Sequence, residues 1–351
     1  MSHLRLLAPL LLLGAPALMG QAAPPSAAAP ALTAEARKAA VEALADRLAA
    51  RFVFPEVGAR YAARLRARLA EGAYEGLTEP AAFAARLTAD LQGVAPDRHL
   101  KVLPAEAAAT VRQAIVPGRG AAAAPQPPAL EAKALWGEVA YLRFNRFPQD
   151  AAVAAEARAF LAEHAGAKAL ILDCRPNRGG DTTVMDAILP LLYAAPTTLV
   201  RMDTRAEAAA EEEALAATMV RQPAPKDLVR HDHRVVPEGP DTPLRQGPVY
   251  YLTSRRTGSA AEHLALALQR THRATLVGEP TAGAGHFGWM EAFTPGFEAF
   301  IPVGRTYDPD TGRGWEATGV TPDVAVPAEG ALAEALRRLR AAGLRTDGAP
   351  A

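Results

Sequence analysis

The sequence contains little lysine, little cysteine and little net charge, and each shortage excludes something. Only five of the 351 residues are lysines, at positions 38, 101, 133, 168 and 226, so arginine supplies nearly all of the 38 basic charges. These balance 38 acidic residues, and a chain without net charge has no electrostatic footprint for nucleic acid or an anionic membrane. The single cysteine, Cys174, cannot form a disulfide within the chain and ends an apolar run, which indicates a buried small side chain.

The N-terminal apolar run, residues 6–19, is too short to span a bilayer. Gly20-Gln21-Ala22 then offers a small-x-small cleavage site, so we interpret residues 1–22 as a secretory signal peptide. Retention of the run as an uncleaved membrane anchor is the alternative. A signal peptide predicts a mature protein that is periplasmic or secreted and has no stable membrane span.

Hydrophobic periodicity divides the rest of the chain. Residues 31–103 show helical spacing and predict a small N-terminal helical domain. The apolar positions fall into three successive sets: Val41, Leu44, Leu48 and Phe52; Tyr61, Leu65 and Leu69; and Phe83, Leu87 and Leu91. Residues 104–131 are rich in Ala, Pro and Gly and predict a linker or surface loop. Strand-like and helical runs then alternate over residues 132–345, which predicts an α/β core. Within that core, residues 203–246 have many charges and few apolar residues, so we expect a long surface excursion there.

Four short runs predict the strands of the α/β core, at residues 137–147, 168–174, 247–254 and 273–279. Continuous apolar runs such as KALILDC are typical of strands that are buried on both faces. In an open sheet of parallel strands, functional sites lie at the carboxyl ends. The loops that follow the second and third runs should therefore meet at one edge of the sheet.

Ser259 lies in the second of those loops, in the stretch TGSAAEHLALAL (257–268), and two interpretations are open. With Glu262 three residues later it forms a capping-box pattern at a helix start. A serine at the positive end of a helix, among small residues, is also a suitable place for a nucleophile. In that case the N–H of Ala260 and an N–H from Gly179 or Gly180 could form an oxyanion hole. Otherwise the two glycines form an ordinary strand-to-helix turn.

Five segments, in this order, resemble the C-terminal processing, or tail-specific, serine peptidase family: YLRFNRF, LILDCRPNRGGD, YLTSRRTGSAAE, RATLVGEPTAGAGHFG and GWEATGVTPDVAV. They are most similar to the branch related to interphotoreceptor retinoid-binding protein and the tricorn core, whose helical leader the N-terminal region also resembles. The resemblance covers nearly the whole mature chain and implies an α/β core of the crotonase/Clp-protease type, built of β-β-α units. Residues 101–131 are too few for the PDZ domain that many members carry, which leaves substrate selection open.

The resemblance also implies roles for individual residues. Ser259 matches the nucleophile of the family. Ala284 stands where many members carry a lysine base, and no lysine follows position 226, which excludes a downstream Ser/Lys dyad. The tricorn-like branch instead uses a histidine base and a glutamate that orients it, and His99 and Glu316 match these two residues.

This set satisfies the chemistry of a serine nucleophile. The hydroxyl needs a base within hydrogen-bond reach, neutral histidine suits that task near pH 7, and a carboxylate fixes the histidine tautomer. Taken singly, His99 could be a polar residue at a strand end, and Glu316 a solvated charge. His286 is the second choice for the base.

Three further histidines are weaker candidates. His263 lies one turn after the nucleophile but points away from the first turn of its helix. His231 and His233 have the spacing of two metal ligands on a strand, but no third ligand converges on them in the sequence, so we expect no metal there.

The sequence therefore predicts a secreted serine peptidase that cleaves a peptide or protein substrate through an acyl-enzyme. It implies no cofactor, no metal and no nucleic acid partner, and it does not predict the oligomeric state. One alternative is a catalytically weak or inactive protein on the same scaffold that binds an apolar small molecule. Another is an interaction protein whose core only holds partners together.

Overall fold

The helices and strands below belong to a computed structural model that describes residues 31–115, 127–209 and 216–350. The predicted signal peptide lies outside these ranges. The helices are α1 (Ala34–Arg51), α2 (Pro55–Ala70), α3 (Pro80–Gln92), α4 (Ala105–Ile115), α5 (Ala151–Glu163), α6 (Thr183–Ile188), α7 (Ala206–Ala209), α8 (Pro243–Gln246), α9 (Ala260–Arg270) and α10 (Ala331–Ala341). The strands are β1 (Lys101–Pro104), β2 (Leu130–Trp136), β3 (Val139–Phe144), β4 (Ala169–Asp173), β5 (Thr197–Arg205), β6 (Met219–Gln222), β7 (Leu228–Val235), β8 (Val249–Thr253), β9 (Thr275–Gly278), β10 (His286–Thr294), β11 (Phe297–Tyr307) and β12 (Val324–Ala325).

The three predicted N-terminal helices are present as α1, α2 and α3. Thr33 caps α1 by accepting the Ala36 N–H at 3.1 Å. Proline occupies the start of both α2 and α3, where its missing N–H costs nothing and its fixed φ suits a helix. Pro55 is the first residue of α2, and α1 ends four residues before it, at Arg51.

The first sheet has the strand order β12-β9-β8-β4-β3-β2, and its neighbours are parallel except for the β2–β3 pair. Its strands β3, β4, β8 and β9 occupy the four predicted runs, so that part of the prediction is confirmed. Along β4, Leu170 and Leu172 pack into one apolar cluster and Ala169 and Ile171 into another. Both faces of this strand are buried, which explains its continuous apolar run.

The second sheet is antiparallel, with the order β1-β11-β5-β7-β6 and with β10 also paired to β11. Residues 203–246 contribute the end of β5 and all of β6 and β7 to this sheet. The expectation of a surface excursion there is therefore wrong. The segment has few apolar residues because Arg–Asp ion pairs cross its strands, and the prediction interpreted these charges as a surface loop. Arg230 Nε lies 2.6 Å from Asp203 Oδ1, and Arg201 Nε lies 2.7 Å from Asp232 Oδ1.

The segment predicted to be a linker, residues 104–131, contains α4 and the first residues of β2. Alanine is the strongest helix former, and the run AEAAAT supplies it in abundance. Residues 116–126 of the segment lie outside the described ranges.

Helices α1–α3 do not have an apolar core of their own. Side chains such as Leu44, Phe83 and Leu87 belong to the same buried cluster as Ile301 and Val303 of β11. The N-terminal helices thus cover one face of the antiparallel sheet. No helix in the described ranges is both long enough and apolar enough to cross a bilayer.

Candidate active site

Two neighbouring loops at the carboxyl edge of the parallel sheet bring Ser259 against the glycine turn. Strands β4 and β8 are parallel partners, and the loops that follow them end in Gly179-Gly180 and in Ser259. A side chain added at Gly179 would lie 2.7 Å from Ser259 Cβ and 2.8 Å from the Ala260 nitrogen. Since Gly179 also has a φ of 97°, only glycine allows this close approach. The expectation that the two loops share one edge is confirmed.

Ser259 has a strained backbone. Its φ of 52° and ψ of −121° lie in a region that residues with a Cβ rarely occupy. The capping box with Glu262 is formed, and the Glu262 carboxylate accepts the Ser259 N–H at 2.7 Å. A helix cap needs only an extended backbone, which costs no strain. The strained conformation therefore has a cause other than capping, and strain of this kind concentrates at functional sites.

Glu262 also fastens the downstream loop to Ser259. Its fully buried carboxylate accepts the Thr281 hydroxyl at 2.6 Å and the N–H groups of Gly283 and Ala284 at 2.6 and 2.9 Å. Burial raises the pKa of Glu262, and these hydrogen bonds act in the opposite direction. The sequence identified this glutamate as a capping residue only, because partners some 20 positions downstream leave no local pattern.

The backbone donors beside Ser259 differ in their availability. The Gly179 N–H donates to Asn177 Oδ1 at 2.8 Å, so it is already engaged. The N–H groups of Ala260 and Gly180 donate to no acceptor in the described ranges. Gly180 is held in place by Phe147, whose carbonyl accepts the Asp181 N–H at 2.7 Å. Two free N–H groups are therefore available next to the serine.

Glu316 ties together the segments that carry the candidate bases. One of its oxygens, Oε1, accepts the Arg98 N–H at 2.8 Å. The other, Oε2, accepts the N–H groups of Gly285 and His286 at 2.6 and 3.0 Å. The loop between α3 and β1, the start of β10 and the segment that contains Trp315 and Glu316 thus converge on one carboxylate.

His99 lies in this convergent region and is mostly buried. Its Nδ1 is buried without a hydrogen-bond partner in the described ranges, and its ring stacks on Phe300 at a centroid distance of 5.1 Å. Burial lowers the pKa of His99, while the charges of Asp97 and Glu316 raise it less strongly. The net direction keeps the imidazole neutral, as a general base must be.

Asp97 is a residue of this region that the sequence analysis missed. Its Oδ1 accepts the N–H groups of His99 and Leu100 at 2.9 and 3.0 Å, and its Oδ2 lies 2.7 Å from His286 Nδ1. Asp97 forms an Asx turn, in which its side chain accepts the N–H two residues further on, at His99.

His286, the second choice for the base, has a carboxylate partner in Asp97. Its Nδ1 also lies 3.9 Å from Glu316 Oε2, and its ring makes edge contacts with Phe52 and Phe54. Asp97, His286 and Glu316 place one ligand atom each within 4.8 Å of one another, so a metal ion could use them. Asp97 Oδ1 and both oxygens of Glu316 already accept backbone N–H groups, which points to a role in holding the loops. His263 does not belong to this group, and its Nε2 lies 2.8 Å from His233 Nδ1.

A buried parallel sheet with a strained serine at a helix start, and free N–H groups beside it, is the framework of a serine-type peptidase. A family model described as Peptidase family S41 matches residues 138–326, and the chain belongs to that family. A second model, the N-terminal domain of the S41 peptidases in eukaryotic IRBP, matches residues 27–133.

Solved structures with the same fold include a peptidase described as putative from Parabacteroides merdae and a lipoprotein from Streptococcus agalactiae. The first is 15% identical, with a TM-score of 0.57, and the match covers 86% of this chain and 96% of the other. The second is 16% identical, with a TM-score of 0.52, and the match covers 87% and 96%. The photosystem II D1 C-terminal processing protease is 24% identical over 54% of this chain, with a TM-score of 0.41, and this chain covers 43% of its length. At such identities the first two matches establish the fold alone: a helical N-terminal region followed by an S41 α/β core.

Proposed function

We propose that the chain is a secreted peptidase that hydrolyses peptide bonds through an acyl-enzyme on Ser259. The observation that carries this proposal is the strained serine with the free N–H groups of Ala260 and Gly180 beside it. Membership of family S41 supports a peptide or protein substrate. The apolar run and small-x-small site within residues 1–22 support secretion.

In the proposed mechanism, Ser259 Oγ attacks the scissile carbonyl while His99 takes the hydroxyl proton. The carbonyl oxygen becomes an oxyanion and accepts the N–H groups of Ala260 and Gly180. His99 then gives its proton to the leaving amine, and an acyl-ester remains on Ser259. Water attacks this ester with His99 again as the base, and the serine is regenerated.

Gly179 has a different part in this proposal from the one the sequence suggested. Because Asn177 accepts its N–H, Gly179 does not serve as the oxyanion donor. Its missing side chain lets the turn approach Ser259 so closely that the neighbouring Gly180 can donate instead.

Glu316 is proposed to orient His99 and to stabilise its protonated form. Two observations support this role: its charge raises the pKa of His99, and its carboxylate holds the Arg98 N–H directly before the base. In the described ranges His99 Nδ1 has no hydrogen-bond partner, so the direct contact with Glu316 that this role requires is itself part of the proposal.

Peptide hydrolysis by matched histidine variants of the full-length protein tests the base. His99→Ala should lose about four to six orders of magnitude in kcat, as removal of a triad member does, and should match Ser259→Ala. His286→Ala should lose far less, since it removes only a support of Asp97. His272→Asn, an exposed control, should be fully active. An inactive His286→Ala with a largely active His99→Ala would reassign the base to His286.

A further inference from the structure

A chain of three buried or half-buried side chains lies outside the proposed triad. His263 Nε2 is 2.8 Å from His233 Nδ1, and His233 Nε2 is 2.7 Å from Asp186 Oδ1. The two histidines are 5% and 1% exposed. Buried polar groups are costly unless they are paired, so a pair of buried imidazoles is a poor way to fill a core. Its presence calls for a function beyond packing.

The two ends of this chain lie on the two helices that present the proposed catalytic groups. His263 belongs to α9, one turn after Ser259, and its N–H donates to the Ser259 carbonyl at 2.9 Å. Asp186 belongs to α6, which starts three residues after Gly180. The Thr182 hydroxyl donates to Asp186 Oδ2 at 3.0 Å, so the aspartate also fixes the approach to that helix. His233 bridges them from β7 of the antiparallel sheet.

We propose that His263 and His233 are positioning residues that, with Asp186, hold the Ser259 helix in register with the Gly179-Gly180 turn. The proposal rests on the function proposed above, because it concerns the alignment of Ser259 with its oxyanion donor on the other loop. Misplacement of catalytic groups by about 1 Å costs about 100-fold in rate. The link formed by His263, His233 and Asp186 should therefore affect kcat rather than substrate binding.

The contact between the two rings also constrains where their hydrogens lie. One hydrogen lies between the two rings, so the contact exists when His263 donates to His233 or when His233 donates to His263. A proton on both rings would set two N–H groups against each other and break the link. Burial and the neighbouring His233 lower the pKa of His263. The other charged groups at the outer end are Arg234 and Glu238, which line a cavity of about 270 Å³ together with His233 and Asp186. The Asp186 side chain is 17% exposed, so the outer end of the link is in contact with solvent.

Four full-length variants test the proposal by kinetics on a peptide substrate. His263→Ala removes the link, and we expect kcat to fall about 10- to 100-fold with KM unchanged. His263→Gln keeps an N–H that can reach His233 Nδ1, and it should recover most of kcat. Asp186→Ala alters the partly exposed end, where folding is least at risk, and should also lower kcat. His231→Ala, on the same strand but without a side-chain hydrogen bond in the described ranges, is the matched control and should behave as wild type.

The combined variant and the pH profile separate positioning from a purely structural role. Because the three residues act as one link, Asp186→Ala combined with His263→Ala should lose no more kcat than the worse single variant. Because the lowered pKa of His263 keeps this ring neutral, the kcat profile of His263→Gln should have the same acidic midpoint as that of the wild type. A normal kcat in folded His263→Ala and Asp186→Ala, or additive losses, would overturn the proposal. If Ser259→Ala is inactive while these variants are unaffected, only the positioning role fails; if Ser259→Ala is active, the proposed function fails.

Discussion

Ser259, the proposed nucleophile, is unusual in its backbone conformation more than in its side chain. A positive φ in a residue with a Cβ costs about 1–3 kcal/mol and persists only where neighbours hold it. Glu262 is the neighbour that holds it, through the Ser259 N–H. The backbone conformation therefore distinguishes Ser259 from an ordinary helix cap, and no propensity scale contains this information.

Replacing Ser259 by alanine or glycine should separate activity from stability. Both variants should be inactive. Ser259→Ala retains the strained φ and loses the capping hydroxyl, so it should be less stable by about 0.5–2 kcal/mol. Ser259→Gly removes the strain and should be more stable than Ser259→Ala, because glycine adopts a positive φ freely. Urea denaturation compares the two, and an alanine variant at least as stable as the glycine variant would mean that Ser259 is not strained.

The pH dependence of kcat/KM should reflect the burial of His99. The residue acts as a base only when neutral, so activity is lost as the pH falls through its pKa. Burial lowers that pKa from 6.5, and the acidic midpoint should therefore lie below pH 6.5. The free energy of unfolding should also fall as the pH drops below 6.5, because the unfolded state binds a proton at His99 more readily than the folded state does. A profile of kcat/KM between pH 4 and pH 9 tests this, and an acidic midpoint above 6.5 would contradict it.

The residues of the candidate triad could be named from the sequence, and the contacts that the sequence missed have a common cause. Ser259, His99 and Glu316 lie in short segments that resemble those of a known family, so each could be matched from the sequence alone. Asp97 and the link from Glu262 to Gly283 and Ala284 depend on contacts between segments far apart in the chain. Such contacts are visible only after the chain has folded.

At the scale of elements, the buried strands were the most predictable part. Strands β4 and β8 are apolar on both faces, so their runs are unambiguous. The antiparallel sheet was not predicted over residues 203–246, because Arg–Asp pairs there replace apolar side chains. Charge density alone therefore does not distinguish a loop from a strand whose charges are paired across the sheet.

Glu262 should be important for the arrangement of these elements. Glu262→Gln replaces a carboxylate with an amide that has one acceptor oxygen, although four donors point at the site. Each buried donor left without a partner costs about 1–3 kcal/mol, so stability should fall by at least that amount. Activity should fall with it, since the Ser259 backbone loses its anchor.

Glu279→Gln is the matched control for that substitution, because its carboxylate is partly exposed and lies 3.8 Å from Arg255. It should change the free energy of unfolding by less than about 1 kcal/mol. Thermal unfolding and a peptide assay on both variants provide the comparison. A Glu262→Gln protein as stable and active as the control would show that Glu262 does not hold the site.

At the scale of the whole molecule, the N-terminal helices and the antiparallel sheet are interdependent. Helices α1–α3 share an apolar cluster with β11, and β1 pairs with β11 along Lys101–Pro104. The segment that carries His99 lies between α3 and β1. The candidate base thus reaches the site only if the N-terminal region is packed on the sheet.

A fragment that starts at residue 132 should therefore be inactive and prone to associate. It lacks His99, exposes apolar side chains such as Ile301 and Val303, and leaves an edge of β11 unpaired. Full-length His99→Ala should be equally inactive but should elute like the wild type in size-exclusion chromatography. A fragment that elutes as one well-behaved species and cleaves peptides at the full-length rate would show that neither His99 nor the N-terminal region belongs to the site.

The central claim is that Ser259 is a nucleophile activated by His99, and covalent labelling tests it most directly. Full-length protein is treated with a fluorophosphonate, the labelling rate is measured, and the modified residue is located by mass spectrometry. We expect a single adduct on Ser259 in the wild type, no adduct in Ser259→Ala, and labelling about 10⁴-fold slower in His99→Ala. An adduct on another residue, or labelling of His99→Ala at the wild-type rate, would contradict the account.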